Sequence, residues 1–413
     1  MEVTRRILLL TPAIPPDSIT AATRAGRIWR YLPKYGFEVD VIAEGETPAS
    51  VPGVWRVGRR PGAAPAPLLS RFAYLVKRVV SHDDQLPWAA QVYATAARLA
   101  QSRRYDAVLS TAPPMGVHLS ALLLKRRRGI PAVCDFRDPL VGNPFRELMG
   151  YVHYDGWLES FIARNADAVI CNTDAARDEF RRRHPRQAQD CHLVWNGFEP
   201  EERGARDAGG AGPIRVVAHV GTLYGGRDPS SLLLSLRRLA SAGRLRPGSV
   251  TFRIAGPILA EMQSRFGALS GPLARQGFLE IDNREIPRQE ALHIARSADA
   301  SLIIDTNGRQ VSLQVPAKLF TSILLGRPVL ALTYEGSPTQ SVLNRSGVPC
   351  RCIDPRWEPD RIDAELDAFL RLSSHFSPPS EWFLETFNGE RQVAEVARIL
   401  DGCIRRAAAG RSR

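Results

Sequence analysis

The chain has 413 residues, 44% of them apolar, and carries a formal net charge of +12. That length suggests two or three domains with ample core, and the cationic excess favours anionic partners: nucleotide phosphates, anionic lipid or nucleic acid. Six cysteines are too few for a disulfide framework, the spacing of Cys350 and Cys352 has no matching pair for zinc, and no apolar run reaches the eighteen or so residues of a membrane span.

Strand and helix patterns alternate from end to end. Ile7-Leu8-Leu9-Leu10 is a continuous apolar run that reads as a strand buried on both faces, too short for a secretory core. Thr11-Pro12 ends it, a helix pattern runs from Thr20 to Lys34, and Val39 to Ala43 is a second strand, completing a βαβ unit. Val51 to Pro67 is rich in Pro, Gly and Ala and reads as loop. Leu68 to Val80 is a basic amphipathic helix, with Arg71, Lys77 and Arg78 among apolar residues, and a helix leads on from Pro87 to Ser102. Strands follow at Ala107 to Ser110, Ala132 to Cys134 and Ala168 to Cys171, with helices up to Lys125 and from Tyr154 to Ala166 between them.

Composition then shifts. Glu201 to Gly212 is polar and Gly/Ala-rich, a linker by composition. A second α/β series has strands at Val216 to Val220, Thr251 to Ala255, Ala300 to Ile304 and Pro328 to Leu332. Its helices are expected at Ser230 to Ala242, Ile258 to Phe266, Pro316 to Leu325 and Pro338 to Ser346, and the tail from Glu390 to Ala408 is an amphipathic helix. The expectation is two doubly wound α/β domains facing one cleft.

Ligands of open α/β sheets bind beyond the carboxyl ends of the strands. Gly221-Thr222-Leu223-Tyr224-Gly225-Gly226-Arg227 lies at such an end, before a helix. Its glycines let backbone approach phosphate, and Arg227 can fork onto phosphate oxygens. Lys318, one of only four lysines, sits beside a helix N-terminus, where its charge is unfavourable unless an anion is present. Asp135-Phe136-Arg137-Asp138 follows a buried strand and suits positioning of sugar hydroxyls or an acceptor; the alternative is an Arg–Asp pair closing the strand end. His118 lies in the first turn of a helix after Pro113-Pro114. Spacings for Walker A, dinucleotide binding, a Ser-His-Asp triad and HExxH are absent, and no nucleic-acid module accompanies the charge. The helix from Leu68 to Val80 could rest on anionic lipid, although such a stripe more often faces a core.

Taken together, these segments resemble the GT4 family of retaining GT-B glycosyltransferases, and more narrowly its bacterial branch in polysaccharide or glycolipid assembly. The resemblance rests on Ser110-Thr111-Ala112-Pro113-Pro114, Asp135 to Pro139, Asn196-Gly197-Phe198, His219 to Tyr224, and Val315 to Phe320 with Gly326-Arg327-Pro328-Val329-Leu330. It implies an acceptor-binding domain over 1–200, a linker over 201–212, a nucleotide-sugar-binding domain over 213–386 and a helix over 387–413 crossing back onto the first domain. It implies a cytoplasmic, metal-independent enzyme that needs no cofactor, takes its sugar from a nucleotide diphosphate donor, and serves a sugar, lipid-linked or small-molecule acceptor. Peripheral contact with the inner membrane is in keeping with that branch, and nucleic acid is not an expected partner.

On this reading Arg227, Lys318, Arg137 and Asp138 carry the chemistry. Gly221, Thr222, Tyr224, Gly256, Val315 and Thr321 hold the donor, and Ser18, Thr20, Arg24, His118, Asp135 and Asn196 line the acceptor side. The sequence departs from the family pattern at three places. Leu313 and Thr321 stand where a Glu-x7-Glu motif is common; Thr222 stands at the usual phosphate arginine, with Arg227 at the usual lysine; and Arg137 stands at a common histidine. Two rival readings use a similar frame: a sugar-nucleotide 2-epimerase and a non-catalytic GT-B subunit.

Overall fold

The computed structural model describes residues 5–17, 20–45, 51–58, 86–143, 146, 152–203, 212–306, 308 and 311–411. The chain forms two compact units. The first comprises residues 1–141, 151–196 and 389–413, and the second 142–150 and 197–388.

The first unit is built on seven parallel strands: β1 (Arg5–Leu10), β2 (Phe37–Glu44), β3 (Val54–Val57), β4 (Ala107–Ala112), β5 (Ala132–Phe136), β6 (Ala168–Cys171) and β7 (Cys191–Leu193). Their spatial order is β3-β2-β1-β4-β5-β6-β7. Order reverses at β1, so β1 and β4 flank the switch point, with Ile7 opposite both Val39 and Ala107. β4 and β5 are buried at every residue because helices cover both faces. The connections carry α1 (Thr20–Tyr31), α2 (Leu86–Ser102), α3 (Gly116–Arg128), α4 (Val152–Asn165) and α5 (Asp174–Arg183). Thr173 caps α5 by accepting from the Ala176 amide at 3.0 Å.

The second unit has six parallel strands: β8 (Val216–Val220), β9 (Thr251–Ala255), β10 (Leu279–Asp282), β11 (Ala300–Ile304), β12 (Val329–Leu332) and β13 (Cys350–Ile353). The order β10-β9-β8-β11-β12-β13 repeats the reversal, here between β8 and β11. Its helices are α6 (Ser230–Ser241), α7 (Ala260–Arg275), α8 (Arg288–Ser297), α9 (Lys318–Leu324), α10 (Pro338–Arg345), α11 (Pro359–Leu370) and α12 (Glu381–Thr386). The last helix, α13 (Gly389–Arg411), returns to the first unit. Val393, Val396, Ala397, Leu400 and Cys403 recur at helical spacing and enter the same core as Ile7, Leu9, Ala25 and Ile28. The Trp195 amide donates to Gln392 at 2.7 Å and Lys34 pairs with Glu390, fixing that docking.

The expected parallel sheets and central strands are present. Several elements differ from expectation. Val54–Val57 is a strand inside the stretch read as loop, and β10 and β13 extend the second sheet where no strand was expected. α5, α8 and α11 are charged helices outside the expected set, and α7 runs to Arg275 past Pro272, beyond the expected end at Phe266. The chain passes between units at Asn196–Gly197, ahead of the Gly/Ala-rich stretch. Gly197 is required there: a Cβ would stand 2.0 Å from the Phe387 carbonyl oxygen, which accepts the Phe198 amide at 3.0 Å. The basic helix expected at Leu68 to Val80 and Ser18 lie outside the described residues, and Thr20 opens α1.

Among the described residues no helix is long and apolar enough to cross a membrane.

Candidate functional site

In the second unit, polar groups converge at the carboxyl ends of β8, β11 and β12. β8 ends at Gly221, whose φ is +145°, and β9 ends at Gly256, whose φ is +138°. The two glycines touch: a Cβ on Gly256 would lie 2.6 Å from the Gly221 carbonyl oxygen. A Cβ on Gly221 would lie 2.0 Å from Lys318 Nζ. The glycine therefore makes the space that the ammonium occupies, and Lys318 donates from it to the Val220 carbonyl at 2.7 Å. Burial, with the Arg227 charge nearby, pulls the Lys318 pKa well below the ordinary lysine value.

Gly221→Ala is expected to lower stability by about 1–3 kcal/mol, since alanine must adopt an unfavourable φ and evict the ammonium. Gly256→Ala should cost more, because the atom it meets is backbone and cannot swing away. Denaturant titration of both variants checks the order.

Arg227 sits in the turn between β8 and α6, its amide bonded to the Tyr224 carbonyl and its guanidinium 5.1 Å from the Tyr224 ring centroid. Its Nε is buried without a hydrogen-bond partner. Among the described residues neither Arg227 nor Lys318 pairs with a carboxylate, although the neighbouring Asp228 holds Arg265. Asp305 is buried directly after β11. It accepts from the Thr306 amide and from the hydroxyls of Thr333 and Thr339 at 2.7–2.8 Å. Burial raises its pKa, and the Arg227 charge opposes that shift. Tyr224 reaches across the switch point to Thr306, hydroxyl to hydroxyl at 2.8 Å. His219 presents Nδ1 to the Leu302 carbonyl at 3.0 Å, so that nitrogen carries the proton, and burial beside Lys318 keeps the ring neutral.

Of the residues expected to hold the donor, Gly221, Thr222 and Tyr224 follow β8 and Gly256 follows β9; of those expected to carry the chemistry, Arg227 lies in the turn after β8 and Lys318 reaches the end of β8 from α9. Val315 is buried just ahead of α9, Thr321 follows Lys318 by one helical turn, and Leu313 packs against Gly142. The buried network of Asp305, Thr306, Thr333 and Thr339, and His219, join them.

In the first unit, Arg24 and Asp135 form a buried two-pronged pair, Nε to Oδ2 at 2.8 Å and Nη2 to Oδ1 at 2.7 Å. Arg24 also donates to the carbonyls of Val194 and Trp195 and to Asn196 Oδ1. An Arg–Asp pair does close the end of β5, but its arginine comes from α1 rather than from Arg137. A carboxylate at 1% exposure requires such a partner, so Arg24, Asp135 and Asn196 form a strut under the strand ends instead of presenting free groups. Arg137 folds back to cap the carbonyls of Ala112 and Pro113, and Asn172 donates to its carbonyl. Asp138, which follows it, is half-buried. His118 is wholly buried, with Nδ1 2.8 Å from Ser110 Oγ and Nε2 unpartnered; burial lowers its pKa to about 3, so it is neutral at ordinary pH.

Residues 21–202, somewhat under half of the chain, match the model of Glycosyltransferase Family 4. The two parallel-sheet units have the GT-B fold. HepE from Anabaena, solved in complex with UDP and glucose, is 15% identical, with 96% of this chain and 100% of that chain covered and a TM-score of 0.62. Sucrose-phosphate synthase from Thermosynechococcus elongatus is 12% identical over 98% and 99% of the two chains, also at 0.62. A UDP-forming α,α-trehalose-phosphate synthase from Burkholderia vietnamiensis is 14% identical over the whole of both chains, at 0.60. A comparison with curated proteins finds no match. The Family 4 match covers the stretch that holds Arg24, His118, Asp135 and Arg137, whereas Arg227 and Lys318 lie beyond it in the second unit.

Proposed function

We propose that the chain moves a glycosyl group from a nucleoside diphosphate sugar to an acceptor hydroxyl, with retention at the anomeric carbon and without a divalent metal. One observation carries this reading. Among the described residues Lys318 and Arg227 pair with no carboxylate: Lys318 Nζ rests on the Val220 carbonyl in the space that Gly221 leaves, Arg227 Nε is buried without a partner, and burial, with the Arg227 charge after it, holds the Lys318 pKa low. Such a pair is costly in an empty site and favourable once an anion joins it. A diphosphate supplies that anion, and the solved GT-B structures above include one holding UDP.

During transfer the bond between the anomeric carbon and the donor phosphate oxygen breaks, and the acceptor oxygen bonds to the same face of the carbon. The acceptor proton passes to the departing phosphate oxygen, so no protein base is required. Lys318, Arg227 and the amides after Gly221 take up the charge on the leaving diphosphate. The acceptor is a sugar, lipid-linked or small-molecule hydroxyl in polysaccharide, glycolipid or glycosylated-metabolite synthesis on the cytoplasmic side.

Two measurements test this. NMR of the products from a panel of nucleoside diphosphate sugars, with chelator present, should show transfer with the anomeric configuration kept. Inversion, or a chelator-abolished reaction, overturns it; a donor epimer formed without acceptor indicates the epimerase, and UDP binding without any transfer the non-catalytic subunit. UDP affinity should also fall with pH. An anion restores the Lys318 pKa, so binding takes up a proton above the lowered pKa of the free site. Affinity then weakens by up to about tenfold per pH unit from there towards the ordinary lysine value. Calorimetric affinity that stays constant across that range argues against a lysine contact.

A further inference from the structure

The outward face of α4 carries Tyr154, Trp157, Phe161 and Arg164 at spacings of three and four, one stripe of a helix. The rings form a ladder, with centroids 6.1 Å apart for Tyr154–Trp157 and 5.9 Å for Trp157–Phe161. Trp157 is 59% exposed, the most exposed large apolar side chain among the described residues. Both acids of α4, Asp155 and Glu159, are turned inward and buried, Glu159 onto Arg183 and His184.

α3 packs beside α4 and contains no acidic residue. Its Leu123 is exposed, and its last turn is Lys125-Arg126-Arg127-Arg128. Lys125 bends onto the Asn165 carbonyl and Asp167, tying the two helix ends together. Arg126, Arg127, Arg128 and Arg164 are exposed and make no ion pair among the described residues, whereas Arg182, Arg284, Arg371 and Arg398 elsewhere on the surface each hold a carboxylate.

An aromatic ridge flanked by guanidinium groups, whose neighbouring carboxylate Asp167 is taken up by Lys125, has the composition of a surface that settles into the headgroup layer of a bilayer. The aromatic rings occupy the boundary between acyl chains and water, and the arginines meet lipid phosphates. A second copy of this chain is a poor occupant, because a two-fold contact would set this cationic face against itself while Lys125 already holds its Asp167. A protein hot spot is usually an enclosed pocket, whereas Trp157 stands 59% exposed. We propose that the α3–α4 face docks the protein on an anionic lipid membrane. The surface is separate from the site at β8 and β11, and vesicle binding needs neither donor nor turnover.

The test is co-sedimentation of the full chain with phosphatidylcholine vesicles that contain or lack phosphatidylglycerol. Binding is expected to the anionic vesicles at low salt and to be lost on neutral vesicles and at high salt. Arg126→Glu with Arg127→Glu should weaken it by about 25-fold or more, taking roughly fivefold for each arginine removed. Trp157→Ala should weaken it several-fold at unchanged salt dependence, with the thermal midpoint of both variants close to that of the parent. Absence of binding to anionic vesicles, or binding untouched by both variants, overturns the proposal. So does sedimentation velocity showing that the variants abolish only self-association.

Discussion

Replacing Lys318 or Arg227 by alanine is expected to lower turnover by roughly 10²–10³, the usual result of deleting one donor aimed at developing charge. The two losses should not add, because both groups act on one diphosphate. The stability readout separates this role from a structural one. In the empty protein the Lys318 ammonium is desolvated beside another cation, held only by the Val220 carbonyl. Lys318→Met should therefore leave the thermal midpoint unchanged or raise it, while UDP ceases to raise it further. Ligand stabilisation follows RT ln(1 + [L]/Kd), so a hundredfold weaker Kd removes up to about 2.7 kcal/mol at fixed UDP. Arg227→Lys should recover part of the turnover lost in Arg227→Ala, since it keeps the charge and loses the fork. Normal turnover in both alanine variants removes the proposed site. A fall in both stability and activity with UDP stabilisation intact makes Lys318 a strut and not a ligand.

The interior of each sheet is plain in the amino-acid order, and its margins are not. β4, β5, β11 and β12 are mostly apolar and buried at every residue because helices cover both faces of a parallel sheet. β3, β10 and β13 are edge strands. Val54-Trp55-Arg56-Val57, Leu279-Glu280-Ile281-Asp282 and Cys350-Arg351-Cys352-Ile353 mix charge into four residues, as strands with an open edge do. Helices α5 and α8 escape for a similar reason. Each buries only one or two side chains, so charge outweighs the apolar period.

Lys318 and Arg227 are legible because lysine is scarce and because glycines follow β8. The buried network is not. Asp305 and Thr306 follow directly after β11, but Thr333 and Thr339 lie 28 and 34 residues further on, and only the register of β11 beside β12 brings them together. Arg24 shows the same limit, for its partner Asp135 is 111 residues away. A sequence pattern marks residues that stand beside their own strand end, and pairing across the sheet has no local signature.

That pair gives the second large effect. Asp135→Ala leaves a guanidinium at 5% exposure with only backbone and amide oxygens for company. Breaking one side of a buried ion pair costs about 3–5 kcal/mol, against the total stability of about 5–15 kcal/mol that domains of this kind have. The first unit should accordingly melt roughly 10 °C lower. Arg24→Ala should cost at least as much, because it strands the carboxylate and also frees the carbonyls of Val194 and Trp195. Arg24→Met combined with Asp135→Leu should recover most of the loss, since no charge is then left buried. The double variant is also informative for activity. The strut holds Asn196, the last residue before the chain enters the second unit, so a stable double variant with reduced turnover assigns the pair a positioning role. Single variants as stable as the parent would mean that water already screens the pair, contrary to its burial.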